Sequence, residues 1–280
     1  MAQSKLADRD RTRSQPLTLA ALEEYGALSG FEVPSGDFDP EGAWNQTYRI
    51  WMVASGGLAP RPADVHYRGF LEIARKPSAD GKAIALEVHQ SILQQAPAVH
   101  ETAVEMQCAR DELCTPRSWT LAHTVLDGRV KPMPEARVEQ RGVLADGALR
   151  IDGGRGSAPR SIDLSDGPVT SNWSLFDAVG RLPRKEAPAV EFTMLQELDE
   201  VKPSQRITYR GADRHTLGGN AVRLHRYQHV GRGILPYHYY VDEQGRLLVA
   251  LGGLRAYLLD PNARQLHEQC LARMAERAKP

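Results

Sequence analysis

The densest group of side chains with acid–base or hydrogen-bonding chemistry lies between residues 223 and 242. Four of its members occupy every second position, flanked by Val222, Leu224 and Val230, and therefore share one face of a predicted strand: Arg223, His225, Tyr227 and His229. A second predicted strand follows the segment GRGILP and carries His238, Tyr240 and Asp242. The two strands predict a hairpin with a polar, aromatic strip.

The pairing register of this hairpin decides which side chains meet. With Val230 opposite Tyr237, the facing pairs are His229 with His238, Tyr227 with Tyr240, and His225 with Asp242. A slip by one residue sets the first strand opposite Tyr237, Tyr239 and Val241 instead. The loop length does not choose between them, and we favour the first register because it suits acid–base chemistry.

Three functions are compatible with this hairpin. An imidazole at His225 oriented by Asp242 could transfer protons near neutral pH, with Tyr227 and His229 as further catalytic residues. The same strip could hydrogen-bond a ligand through its remaining members, with help from an aromatic residue on a short helix: Arg223, His238, Tyr240, Asp242 and Trp173. A solvated face that stabilises the hairpin by cross-strand pairs is the third interpretation. No metal and no cofactor are predicted.

Composition excludes several protein classes. Lys+Arg and Asp+Glu both number 35, so no basic excess is available for phosphates and nucleic acid is not an expected partner. No apolar run is long enough for a membrane span. The polar start of the chain is not a secretory signal as written. It suits either a cytoplasmic protein or an exported, periplasmic one whose signal was trimmed.

Period-two alternation predicts about twelve strands, as in residues 83–93 and 101–108, with Asp-Gly turns between them. Helices are predicted at 16–28, at 170–182 with Thr170 or Ser171 as N-cap, and at 260–277 with an apolar stripe that includes Leu266 and Cys270. The fold class is mainly β: a large curled antiparallel sheet or open half-barrel with a few flanking helices. Residues 1–15 form a disordered tail and 16–280 one domain, in which an internal boundary could fall near 153–161.

Cys108 and Cys114 lie six residues apart between two predicted strands. A disulfide would close this loop in an oxidising compartment, and two thiols are the alternative. Cys270 is predicted to lie in the core. The redox state of the pair depends on the compartment, which the sequence does not name.

The C-terminal third has a distinctive order of elements. It runs from QRITYRGADRHTLGGNAVRLHRYQ to YHYYVDEQGRLLVALGGLRAYLL, after a short helix in VTSNWSLFDAVGRLP. Residues 165–260 resemble uncharacterised exported bacterial proteins whose curled antiparallel sheet is similar to that of the lipoprotein carriers LolA and LolB. The resemblance implies a half-barrel fold and an extracytoplasmic location, and it transfers no functional residue.

Taken together, these features favour an exported β protein that holds a small polar or amphipathic molecule, such as a carbohydrate, in the concave face of its sheet. The first alternative is a carbohydrate-active lyase or hydrolase that uses His225, Tyr227 and His229. The second is a structural or partner-binding module. Whether the three side chains point into a cavity distinguishes the first two from the last.

Overall fold

A computed structural model describes residues 18–53, 65–94, 98–154, 158–165, 167–185 and 188–278. The tail predicted at 1–15 lies outside the described residues. No helix in these ranges combines the length and the apolar character that a membrane span requires.

All fifteen strands of the described chain belong to one sheet. They are β1 (Trp44–Val53), β2 (Val65–Pro77), β3 (Ala83–Leu93), β4 (Val99–Ala109), β5 (Pro116–Leu126), β6 (Pro132–Ala145), β7 (Ala148–Gly153), β8 (Arg160–Asp163), β9 (Val169–Ser171), β10 (Val190–Gln196), β11 (Glu200–Leu217), β12 (Asn220–Gly231), β13 (Tyr237–Val241), β14 (Leu247–Gly252) and β15 (Arg255–Leu259). The order across the sheet runs from β8 back to β1, then to β15 and back to β9. Neighbours are antiparallel except β9 and β10, so the predicted fold class is confirmed.

Three helices accompany the sheet: α1 (Leu19–Glu24), α2 (Ser174–Ala178) and α3 (Ala263–Arg277). Helix α2 lies against the inner, concave face. Helix α3 packs on the outer face of β1 and β2, where the ring of its buried His267 meets Phe70 at 5.4 Å between centroids. The core lies between the curled inner face and α2, and it includes Ile73, Leu86 and Met106.

The two ends of the sheet approach each other without pairing. Among the described residues, β8 and β9 are edge strands with no strand on their outer side. Side chains bridge the gap instead, since Arg160 at one edge pairs with Asp199 in the β10–β11 turn. The amide of Gln140 on β6 donates to the Leu198 carbonyl of the same turn at 2.7 Å. The sheet is therefore a curled, open half-barrel latched by side chains.

Several local predictions were wrong. Strands β8, β9 and β15 were not predicted, and β9 includes Thr170 and Ser171, where the predicted helix was expected to begin. Helix α3 buries Ala263 and His267, whereas Leu266 of the predicted apolar stripe is 37% exposed and Cys270 is half-buried. Of the residues of α3, Ala263 and His267 are buried, so the face that the helix turns toward β1 and β2 is not the predicted apolar stripe.

Candidate functional site

Helix α2 closes the concavity through aromatic packing. Ser171 Oγ accepts a hydrogen bond at 2.9 Å from the first N–H of the helix and so fixes where the helix begins. Trp173 comes just before it and is 2% exposed. The ring of Phe176 meets Tyr48 and Tyr257 edge to face, at centroid distances of 5.2 and 5.3 Å. The helix therefore presents a fixed aromatic surface to the sheet.

A buried ion pair holds α2 in place. Arg75 on β2 has no exposed side-chain surface, and its Nε donates to Asp177 Oδ1 at 2.6 Å. Its Nη1 donates to the carbonyl oxygens of Glu41 and Gly42. Arg181 donates to the second Asp177 oxygen. Because nearly every donor of Arg75 has an acceptor, this buried charge is compensated and has a structural role.

The hairpin of β12 and β13 adopts the register that we did not favour. His225 pairs with Val241, Tyr227 with Tyr239, and His229 with Tyr237. The facing pairs expected with His238, Tyr240 and Asp242 are therefore wrong. The reason lies in packing, since this register sets Tyr237 and Tyr239 on the inner face, where they line the cavity beside α2.

His238 and Tyr240 consequently lie on the outer face of the sheet. Their rings are 6.4 Å apart, and His215 meets Tyr240 edge-on at 5.7 Å. Burial and the charges of Arg226 and Arg210 lower the pKa of His238. The predicted ligand-binding residues therefore do not share one face of the sheet. Of these residues, only Trp173 lines the cavity beside α2.

Tyr227 ties the sheet to the chain that follows α2. Its hydroxyl donates to the Leu182 carbonyl oxygen at 2.8 Å, and the residue is 1% exposed. Burial raises its pKa to about 12, so the phenol keeps its proton at neutral pH. The contact makes Tyr227 part of the packing between sheet and helix.

His225 has a carboxylate partner, but not the one expected. Its Nε2 lies 3.1 Å from Glu243 Oε2, and its Nδ1 lies 2.9 Å from the Tyr209 hydroxyl. Arg223 pairs with the other Glu243 oxygen at 3.1 Å. The hydrogen bond from His225 lowers the pKa of Glu243. Asp242 instead accepts hydrogen bonds from the backbone of the turn it begins, at 2.8 and 2.9 Å.

A cavity lies between the inner face and α2, beside Trp173. Its water-accessible volume is about 30 Å³, and aromatic rings and polar groups both line its wall. The polar lining comprises Gln90, Asn172, Gln196, Glu197, His229, Tyr237, Tyr239, Arg255 and Tyr257. A second space of about 130 Å³ adjoins it, since Trp173 and Glu197 line both.

His229 contributes an unpaired acceptor to this cavity wall. The amide nitrogen of Gln205 donates to two backbone carbonyls, so its Oε1 accepts from His229 Nε2–H at 3.0 Å. His229 Nδ1 is then a lone-pair acceptor, and it has no partner among the described residues. Burial lowers the pKa of His229 to about 4, so the ring is neutral. With 1% of its surface exposed, His229 is a buried residue that lines the cavity.

A second His-containing cluster lies under α3 on the outer face. Ser91 Oγ is 2.6 Å from both Glu101 Oε1 and His267 Nε2, but the carboxylate contacts the serine and not the His267 imidazole, so the grouping lacks the Ser–His–acid order of a hydrolase triad. Ser91 is fully buried and His267 is 1% exposed. No substrate can reach the hydroxyl in this arrangement, so the cluster serves to fasten α3 to the sheet.

Within the described ranges, no three His, Cys, Asp or Glu side chains are placed to hold a metal ion. Cys108 and Cys114 are both buried thiols, and the side chains are in hydrogen-bonding contact with each other. This contact together with burial raises the pKa of Cys114.

No protein-family model and no curated protein matches the chain. A β-barrel-like protein of domain of unknown function DUF1849 from Brucella abortus is similar in structure, with 8% identity, a TM-score of 0.49, and coverage of 78% of this chain and 96% of its own. A DUF1089 family protein from Pseudomonas aeruginosa has 13% identity, a TM-score of 0.35, and coverage of 80% and 97%. Neither is named as a lipoprotein carrier. The fold class rests on the strand pairing of this chain.

The cavity residues that were not predicted include Glu197, Arg255 and Tyr257. Arg255 and Tyr257 lie on β15, whose sequence RAYLL follows another apolar strand and shows no alternation. The charged residue inside this apolar run was the available signal, because arginine is rarely placed in a core strand without a partner.

Proposed function

We propose that the protein binds a small polar or amphipathic molecule in the concave face of its sheet, at the cavity beside Trp173. One observation carries the proposal: aromatic rings and unpaired polar groups converge on the same enclosed space. Burying polar groups without partners is unfavourable for folding. A ligand with an apolar body and a polar head would pack against the aromatic rings with its body and hydrogen-bond to the unpaired polar groups with its head.

The size of the space limits the ligand. The two adjoining spaces, of about 30 and 130 Å³, are below the ~300 Å³ at the small end of typical ligand pockets. Glu197 and Trp173 separate them, so a rotation of Glu197 would join them. We therefore propose a ligand of about ten non-hydrogen atoms in its buried part. Export of the protein is part of the same proposal.

Binding is tested by calorimetric titration with three eight-carbon amphiphiles, used as monomers: octanoate, octanol and octyl glucoside. We expect at least one to bind. Gln196→Trp fills the cavity wall and should abolish binding. Glu200→Trp adds the same bulk on the facing strand, where the side chain is 63% exposed, and should preserve it. If none of the three binds, or if both variants behave alike, the proposal is wrong.

Acid–base chemistry at His225 is the second candidate, because its imidazole lies between a phenol and a carboxylate. This grouping borders none of the cavities described above, and the residue is 7% exposed. Nitrophenyl glycosides test the idea directly. Cleavage by the purified protein that His225→Ala removes would favour a carbohydrate-active enzyme, and no cleavage would leave the binding function.

A further inference from the structure

The geometry points to an anionic headgroup, a carboxylate or phosphate, as the polar part of the ligand, bound by Arg255. This inference rests on the proposed function and makes it more specific. Arg255 begins β15 and lines the cavity beside Trp173. Its guanidinium is charged at every physiological pH and carries five donors.

Only one of these donors has a partner in the described chain. Arg255 Nη1 donates to the Tyr257 hydroxyl at 3.2 Å. No carboxylate of a described residue lies within 4.0 Å of the guanidinium. Arg255 lines the cavity, and its other nitrogens are not among the fully buried atoms without a partner, so their donors remain accessible. A half-buried positive charge with this arrangement is poorly compensated by the protein alone.

Carboxylates and phosphates match such a group. The planar guanidinium binds either one through two parallel hydrogen bonds, which are stronger than bonds between neutral partners. The phenol of Tyr237 lines the same cavity, and burial raises its pKa, so it stays protonated and can donate to an anion as well. The apolar part of the ligand would then lie along Trp173 and Phe176.

Among the described residues, Glu197 is the one carboxylate that lines this cavity, and its negative charge would repel an anionic ligand. It also borders the adjoining space, whereas Arg255 borders only the first. Glu197 and Arg255 form no salt bridge within 4.0 Å, although the charge of Glu197 acts on Arg255 from farther away and raises its pKa. If the ligand were a cation or a zwitterion, Glu197 would be its partner, and removal of that charge would weaken binding.

The three amphiphiles distinguish these cases, because they share an alkyl chain and differ in headgroup. We expect octanoate to bind at least ~10-fold more tightly than octanol or octyl glucoside. Arg255→Gln should weaken octanoate binding by about 10- to 100-fold, the loss expected for a charge-assisted pair, and leave octanol unchanged. Arg255→Lys keeps the charge and should retain most of the affinity. Octyl phosphate is the matched probe for a phosphate headgroup.

Other outcomes separate the two proposals. Equal binding of all three amphiphiles, or octanoate binding unaffected by Arg255→Gln, would overturn the anion inference and leave the binding function standing. Weaker octanoate binding by Glu197→Gln would overturn the anion inference too. Loss of this negative charge should strengthen the binding of an anion or leave it unchanged. The comparison of octanoate with octanol uses the unaltered protein, so it decides the question even if Arg255→Gln does not fold.

Discussion

His229 should make the folded state sensitive to mild acid. The ring is 1% exposed, and burial lowers its pKa to about 4, against 6.5 for an ordinary histidine. Between these values the unfolded chain binds a proton at His229 and the folded chain does not. Stability therefore rises with pH in this window and is lost as pH falls from about 6.5 towards about 4.

The pKa values of His229 in the folded and unfolded chain determine how much stability is lost. Linkage over this interval gives a loss of about 2 kcal/mol between pH 7 and pH 5 from His229 alone. That is a substantial part of the ~5–15 kcal/mol by which folded domains are stable. His267, with its pKa also lowered to about 4 by burial, should add a similar loss.

Urea unfolding at pH 7, 6 and 5 measures this effect in the unaltered protein and in His229→Gln. The glutamine does not titrate, so the variant should lose about 2 kcal/mol less over this range, whatever its stability at pH 7. His267→Gln is the matched comparison on the outer face. Parallel pH profiles for the unaltered protein and His229→Gln would refute the assignment of a buried, neutral ring.

Two further predictions concern the interior. Asp177→Asn leaves the guanidinium of Arg75 without its compensating charge and should cost ~3–5 kcal/mol in urea unfolding, whereas Arg255→Gln should cost much less, because that arginine has no carboxylate partner to lose. Cys108 and Cys114 should form a disulfide when the protein is exported, because their thiols are already in contact. Mass spectrometry of periplasmic material without reductant checks this, and two alkylated thiols would contradict it.

The strand pattern was largely predictable because it depends on local alternation. In β3 and β4 one face is buried and the other is wet, so apolar and polar residues alternate along each strand. Strand β14 is buried along its whole length, and β15 follows it after a two-residue turn. Without alternation, the Gly-Gly pair in the run LLVALGGLRAYLL was the one signal that separates two strands from one.

The candidate site was only partly predictable, because contacts between distant segments create it. The hairpin register places Tyr237 and Tyr239 inside, and that choice depends on α2, which lies some sixty residues earlier in the chain. Glu197 reaches the cavity through a turn that bridges the open edges of the sheet. His229 was found because it belongs to a dense local cluster, whereas Arg255 stands alone in an apolar strand.

Two arginines on the inner face differ in how fully the protein surrounds them. Arg75 and Arg255 lie on strands of the same curled sheet, and each points toward the space beside α2. Arg75 is enclosed by Asp177 and two backbone carbonyls, which is what burial of a guanidinium requires. Arg255 has one phenol at 3.2 Å. The proposed function would account for this difference, because an anion that enters the cavity would complete around Arg255 the shell that Asp177 completes around Arg75.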